Sequence, residues 1–147
     1  MSYSLRKLRL LVDDPNGELA TNLATAKLFC AAEDDGESEE LGSLMGPEVH
    51  YANFWGVVRG QVAALAVMRK EHSALRLSWS TQVTVITPNT FERQGFAHFT
   101  SGGMAAIPLV GSWFTKFSQR RVRESLVVRD GRVVFRDLSF QWGLGVH

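Results

Sequence analysis

The sequence has a single cysteine, no long apolar run and almost no net charge. Cys30 has no partner for an intrachain disulfide, which is typical of a reducing compartment. No window approaches the roughly 20 apolar residues that a membrane span requires. Residues 1–12 contain basic and apolar residues but no uninterrupted apolar core, and Asp13-Asp14-Pro15 ends the segment. We therefore expect a cytoplasmic protein without a signal peptide.

Charge and motif content argue against several classes of partner. Lys and Arg total 16 against 15 Asp and Glu, so the net charge of +1 favours neither nucleic acid nor an anionic membrane. Arg120, Arg121 and Arg123 are typical of a solvated strand face, because no aromatic stacking positions alternate with them. The four histidines show no metal-ligand spacing, and the Gly102-Gly103 pair lacks the Lys-Ser/Thr of a phosphate loop. We expect no metal and no cofactor.

The order of helical and strand patterns predicts the fold class. At 147 residues and 45% hydrophobic content, the chain suits one domain over 1–147, with 1–15 as an N-terminal extension. Residues 1–12 fit a helix or a strand. The later patterns predict helices at 18–33, 38–45 and 61–72, strands at 48–54, 74–87 and 90–100, and a hairpin over 111–140 that turns at Asp130-Gly131. This order indicates an α+β protein in which a curved antiparallel sheet wraps around about three N-terminal helices.

Five motifs in this order resemble the nuclear transport factor 2-like superfamily, which includes SnoaL-like cyclases and ketosteroid isomerases. They are the acidic-Gly turn at 34–36, Pro-Glu-Val-His-Tyr at 47–51, the helix entry at 57–65, the Gly-Met-Ala-Ala-Ile-Pro-Leu-Val-Gly connection at 103–111 and the hairpin at 127–134. The resemblance covers about residues 18–141. It implies a cone-shaped α+β barrel with a pocket for a small molecule.

The catalytic groups of these relatives are mostly replaced in this chain. The resemblance places the Tyr and the two Asp residues of a ketosteroid isomerase near Phe29, Tyr51 and Glu124. A phenyl ring donates no hydrogen bond, and a phenol with an ordinary pKa is a poor base at neutral pH. The acidic base of SnoaL-like cyclases falls at Gln141, an amide that can orient a ligand but cannot accept a proton.

Glu124, His98 and Tyr51 are the candidate catalytic residues. Glu124 alternates with apolar residues, so burial inside the cone would raise its pKa toward a useful range. The alternative is an exposed position or a salt bridge to Arg121 or Arg123, as is usual for charged strand residues. His98 is a candidate because histidine is the residue type that most often serves as an acid or base near neutral pH, but no acidic partner is identifiable from spacing.

Ligand contacts are expected from Asn53 and Trp55, which alternate with Tyr51 on one strand face, together with Phe29, Trp79 and Gln141. The aromatic residues Trp79, Trp113, Phe114, Phe117 and Trp142 could line an apolar pocket or form a dimer face. We expect a homodimer, the commonest oligomer. The sequence therefore predicts a domain that binds a small apolar or aromatic molecule, with isomerase, cyclase or dehydratase chemistry by general acid and base. The alternative is a non-catalytic binding or dimerisation module.

Overall fold

A computed structural model describes residues 4–5, 14–99 and 120–141. The helices are α1 (Leu19–Asp35), α2 (Ser38–Leu44) and α3 (Gln61–Ala74). The strands are β1 (Ser4–Leu5), β2 (Met45–Asn53), β3 (Gly56–Arg59), β4 (Leu75–Trp79), β5 (Gln82–Thr87), β6 (Thr90–Phe99), β7 (Arg120–Arg129) and β8 (Arg132–Phe140). Within these ranges, no helix has the length and hydrophobicity needed to cross a bilayer.

The eight strands form one curved, unclosed sheet that holds the three helices against its inner face. The order is β1-β5-β6-β7-β8-β2-β3, and β4 pairs with the half of β6 that β5 leaves free. The β1/β5 and β2/β8 pairs are parallel, and the others are antiparallel. The predicted α+β cone fold is confirmed, with a mixed sheet. Strand alternation cannot distinguish parallel from antiparallel neighbours, because both have a period of two.

Helix α1 ends at the interior of the cone, and this position brings acidic residues there. The Asp14 carboxylate accepts hydrogen bonds from the backbone N–H groups of Glu18 and Leu19 and so caps the start of the helix. At the other end Gly36 adopts a φ of 68°, and its N–H closes the last turn on Glu33. Glu33 and Asp34 therefore lie in a last turn whose direction is fixed at both ends.

Inward-facing side chains form three levels along the cone. An apolar core fills one end, where α1 packs on Val49, Phe91 and Leu126. A smaller apolar cluster around Leu75 and Leu138 fills the other end. Between the two lies a level of buried charged side chains. Apolar groups on both sides keep water from this level.

Most predicted elements are confirmed, with two corrections. The hairpin turns at Asp130 and Gly131, whose φ angles of 52° and 74° are those of a primed turn. Residues 56–59, expected to be a connection, form β3. The single strand expected at 74–87 is two strands, β4 and β5, which share the same edge of β6. The expectations for 1–3, 6–13 and 100–119 lie outside the described residues.

Candidate functional site

The middle level of the cone is a cluster of ionisable side chains, which we call the charge layer. It contains two arginines and four carboxylic acids: Glu33, Asp34, Glu71, Arg93, Glu124 and Arg136. The side chains are 0–1% exposed, except for Asp34 at 13%. Charged groups this deeply buried are tolerated only when they are paired and hydrogen-bonded.

Glu124 lies at the centre of the charge layer, between the two arginines. The Arg93 Nε–H donates to one of its carboxylate oxygens at 2.6 Å, and the Arg136 Nε–H donates to the other at 2.8 Å. Strand pairing explains this arrangement, since Arg93 lies opposite Glu124 across β6 and β7. Both carboxylate oxygens accept short charge-assisted bonds, which hold the side chain in one orientation.

The outer ends of the two guanidinium groups bind the helices. Arg136 donates to both oxygens of Glu71 on α3, at 2.6 and 2.9 Å. Arg93 donates to both oxygens of Asp34, at 2.9 and 3.1 Å, and to Glu33 at 3.1 Å. The two arginines therefore join the β6-β7-β8 part of the sheet to the ends of α1 and α3.

Aromatic and amide side chains complete the charge layer. The Arg93 guanidinium lies 4.0 Å from the centre of the Trp79 ring, and the Arg136 guanidinium lies 4.4 Å from the centre of the Tyr51 ring. The Tyr51 hydroxyl donates to Glu33 at 3.3 Å, and the Asn53 amide donates to Glu71 at 2.7 Å. Among the described residues, no buried side-chain nitrogen or oxygen lacks a hydrogen-bond partner.

The charge layer gives Glu33 and Glu124 opposite pKa shifts. For Glu33, burial raises the pKa well above its usual range, and attraction by Arg136 and Arg93 only partly offsets this, while the nearby Glu124 adds to it. For Glu124, burial also raises the pKa, but Arg93 and Arg136 outweigh burial and hold the pKa well below its usual range. With the pKa of Glu33 raised and that of Glu124 lowered, a proton held by this pair of carboxyls favours Glu33.

The expectation that burial would raise the pKa of Glu124 is therefore wrong in sign. The expected salt-bridge partners, Arg121 and Arg123, are also wrong, since Arg93 and Arg136 bind this carboxylate. Alternation grouped Glu124 with apolar residues on one face of its strand, and that face is the buried one. Alternation could not show which cations lie opposite. The Tyr51 pKa is raised well above its usual range, mainly by burial, so its hydroxyl stays protonated at neutral pH.

Asn53 and Trp55 lie together at an open cleft of about 520 Å³ between the β2-β3 hairpin and α3, which we call the Trp55 cleft. Its described lining is mainly apolar: Asn53, Trp55, Gly56, Val57, Val58, Val67, Lys70 and Ala74. Asn53 bonds to Glu71 of the charge layer, and its side-chain oxygen accepts the Trp55 backbone N–H at 2.8 Å. The Asn53 side chain thus connects the Trp55 cleft to the charge layer.

A second cleft, of about 560 Å³, reaches the charge layer at Asp34; we call it the Asp34 cleft. It lies between the ends of α1 and α3 and strand β4, and His72 and Trp79 contribute to its lining. Burial lowers the His72 pKa from its ordinary value, and the neighbouring Glu71 opposes that shift only in part. At neutral pH His72 therefore presents a neutral imidazole, which can accept a proton.

The structure separates the other predicted site residues. His98 lies on β6 in the outward-facing series, whereas Arg93 faces the charge layer, so His98 does not join Glu124 and Tyr51. Phe29 is fully buried in the apolar core. Trp79 and Gln141 line a third cleft on the outer side of the sheet. Trp113, Phe114, Phe117 and Trp142 lie outside the described residues.

Sequence reasoning missed Glu33, Glu71, Arg93, Arg136 and His72. One signal was available: Arg93 alternates with Phe91, Gly95 and Ala97, all of which are buried, so an inward arginine could have been expected. The ion pairs of the layer could not have been expected, because the residues that form them are far apart in the sequence. Arg136 and Glu33, for example, are separated by 103 residues. In 4–5, 14–99 and 120–141, no group of three His, Cys, Asp or Glu side chains is arranged to hold a metal ion.

Comparison with known proteins is consistent with this architecture. A sequence model of the NTF2-like domain matches residues 6–144. No curated protein matches the sequence significantly.

Three solved structures are similar in fold. An LEH-like epoxide hydrolase of M. tuberculosis has a TM-score of 0.60 at 13% identity, covering 84% of this chain and 85% of that one. A candidate polyketide cyclase from Xanthomonas campestris pv. campestris has a TM-score of 0.63 at 13% identity, covering 84% and 93%. A candidate ketosteroid isomerase from Kribbella flavida has a TM-score of 0.64 at 11% identity, covering 88% and 84%. At these identities the likeness shows the fold alone.

Proposed function

The chain belongs to the NTF2-like domain family, and we propose that it binds a small, largely apolar molecule in the Trp55 cleft. The observation that carries the proposal is the composition of this cleft. Valine and tryptophan side chains dominate a volume of about 520 Å³, and Asn53 and Lys70 are the polar side chains of its described lining. Small-molecule sites typically combine an apolar lining with a few placed polar groups.

Asn53 is the group that would orient the ligand. Its amide gives one N–H to Glu71 and accepts one backbone N–H on its oxygen. An amide has two donor hydrogens and two acceptor lone pairs, so one donor and one acceptor site remain for a polar group of the ligand. Because Glu71 is held by Arg136, this amide is fixed in position before a ligand arrives.

A thermal-shift screen of the full chain against steroid, polyketide, terpene and aromatic-acid libraries tests the proposal. A ligand that binds only the folded protein raises its melting temperature. The variant Val57→Glu places a charge at the cleft and should abolish the shift. Val62→Glu is the matched control, since Val62 is 85% exposed on α3 and is not in the described lining of the cleft. The proposal fails if no library member shifts the melting temperature, or if both variants respond to ligand as the wild type does.

Acid-base catalysis in the Asp34 cleft is the second candidate function. It is favoured by the neutral His72 imidazole, which faces a cleft that also contains Asp34 of the charge layer. The folds similar to this one include proteins named as an epoxide hydrolase, a polyketide cyclase and a ketosteroid isomerase. Glu124 and Tyr51 support this function less directly, because both side chains are bonded inside the closed layer.

Turnover of a ligand from the screen tests this second function. General base catalysis contributes about 100-fold or more, so His72→Gln should lower kcat by at least that factor if His72 accepts the proton. The acidic limb of the pH-rate profile should report a pKa below the ordinary histidine value. His50→Gln, on β2, is the control. An unchanged kcat in His72→Gln would remove the assignment, and a screen with binding but no turnover would leave the binding function alone.

A further inference from the structure

The third cleft, which we call the Arg121 cleft, lies over the outer side of the sheet where β4 meets β6. Its volume is about 510 Å³. The described lining combines two aromatic residues, one cation, two amides and small residues: Ser78, Trp79, Ser80, Gln94, Gly95, Phe96, Arg121 and Gln141. This composition differs from that of the Trp55 cleft, since two serines, two amides and a guanidinium are found here where the other cleft has three valines.

Gly95 allows the cleft to form. A Cβ at this position would overlap the carbonyl oxygen of Ser78 and would lie 2.7 Å from Cε3 of Trp79. Without it, β4 approaches β6 closely and the indole of Trp79 lies against the strand. The Arg93 guanidinium contacts the Trp79 ring at 4.0 Å. The Trp79 ring therefore lies on the inner side of the sheet with Arg93, whereas Phe96 and Arg121 face the outer side.

Three long polar side chains of the cleft have no partner in the described part of the chain. Arg121 lies exposed and directly opposite Phe96 in the β6/β7 pairing, and within the described part of the chain it forms no ion pair. The Gln94 and Gln141 side chains likewise have no hydrogen bond to another described residue. Phe96 is 41% exposed. Among the described residues, an unpaired guanidinium, two unused amides and the exposed ring of Phe96 thus border one volume on the outer face.

We propose that the Arg121 cleft binds a planar aromatic carboxylate. A guanidinium pairs with a carboxylate through two parallel N–H donors, and this geometry requires a planar anion. The ring of the ligand would pack on the exposed ring of Phe96 in an offset or edge-to-face arrangement. The amides of Gln94 and Gln141 would bond to ring substituents or to the carboxylate. The site is independent of the Trp55 cleft and of any catalytic role of His72.

Calorimetric titration of the full chain with 2-naphthoate tests the site. We expect saturable binding of 2-naphthoate, at least tenfold weaker binding of 2-naphthol, which has the ring system without the carboxylate, and no measurable binding of acetate, which has no ring. Arg121→Gln should weaken the binding of 2-naphthoate at least tenfold, because a charge-assisted pair is lost. Phe96→Ser should weaken it several-fold.

Arg129→Gln is the matched control. It removes the same charge from an exposed position at the other end of β7, and binding should change by less than about twofold. Equal losses in Arg121→Gln and Arg129→Gln would overturn the proposal, because the effect would then be general electrostatic attraction. Equal affinities for 2-naphthoate and 2-naphthol, or no saturation at millimolar ligand, would also overturn it. So would a change of particle mass in Arg121→Gln by light scattering, since the face would then contact a second copy of the chain.

Discussion

The charge layer and the Trp55 cleft use polar groups in opposite ways. In the layer, every carboxyl and guanidinium is bonded to another side chain of the protein, and all except Asp34 are almost without solvent contact. In the cleft, apolar side chains are exposed and one amide retains unused hydrogen-bonding capacity. Buried ion pairs fix the position of structural elements, whereas uncommitted groups at an opening can bind a ligand. We therefore infer that the charge layer positions the helices on the sheet and that the Trp55 cleft recognises a ligand.

Removing the central anion of the charge layer should have the largest effect. In Glu124→Gln, the Nε–H groups of Arg93 and Arg136 lose the carboxylate that both of them bind, and two buried cations remain undercompensated. Breaking a buried ion pair from one side costs about 3–5 kcal/mol. Urea unfolding should show that loss. Glu48→Gln, at an exposed position on β2, should change the free energy of unfolding by less than about 0.5 kcal/mol. A similar small loss in Glu124→Gln would mean that the layer does not hold the fold.

Gly95→Ala should have the next largest effect on stability. The added Cβ must displace the backbone of Ser78, which is less adaptable than a flexible side chain. Overpacking of this kind costs about 1–3 kcal/mol. Gly42→Ala, in α2, is the control, because no atom lies within 4 Å of its added Cβ and alanine favours a helix. Its midpoint in urea should rise slightly. A neutral Gly95→Ala would show that β4 is free to move away from β6, and the Arg121 cleft would lose its rigid wall.

The fold could be predicted largely from the sequence, because its elements depend on local pattern. The Asp130-Gly131 turn, the Asp14 cap and the end of α1 before Gly36 each follow from residue types within a few positions. Strand β3 was not predicted because it has only four residues, of which the first is Gly56, and Gly60 follows it directly. A segment of that length carries too few alternating positions to indicate a strand.

The charge layer could not be predicted in the same way. Alternation placed Glu124 and Tyr51 on inner faces, but the sign of a pKa shift depends on which charges lie nearby in space. Those charges come from β6, β8 and the ends of two helices. Arg93 is 31 residues from Glu124, and Arg136 is 65 residues from Glu71. Only the pairing of strands and the seating of helices on the sheet bring these groups together.

The proton on Glu33 should be visible in the dependence of stability on pH. The Glu33 pKa is raised in the folded protein, so its contribution is fully present below the unfolded value of about 4.3 and is lost as the pH rises toward the folded value. The Glu124 pKa is lowered, so its contribution is present above the unfolded value and is lost in acid. As the pH rises from the unfolded pKa toward the folded pKa of Glu33, the free energy of unfolding should fall by up to about 1.4 kcal/mol per pH unit.

Glu33→Gln should remove that slope, because glutamine resembles the protonated acid and does not ionise. Urea unfolding at several pH values between 5 and 8 measures it. Glu40→Gln, at an exposed position on α2, should retain the wild-type slope. A slope that persists unchanged in Glu33→Gln would place the proton on another group of the layer.

Trp55→Ala should have the smallest effect on stability and a large effect on binding. Its side chain is 53% exposed and its main ring contact is an edge-on approach to Phe54 at 4.6 Å. Loss of that contact costs about 1 kcal/mol or less. A ligand of the Trp55 cleft loses an aromatic wall, so the ligand-induced rise in melting temperature should disappear while the ligand-free melting temperature changes little. If Trp55→Ala instead lowers the free energy of unfolding as much as Glu124→Gln does, the exposed tryptophan stabilises the fold. The distinction between a layer that positions elements and a cleft that recognises a ligand would then not hold.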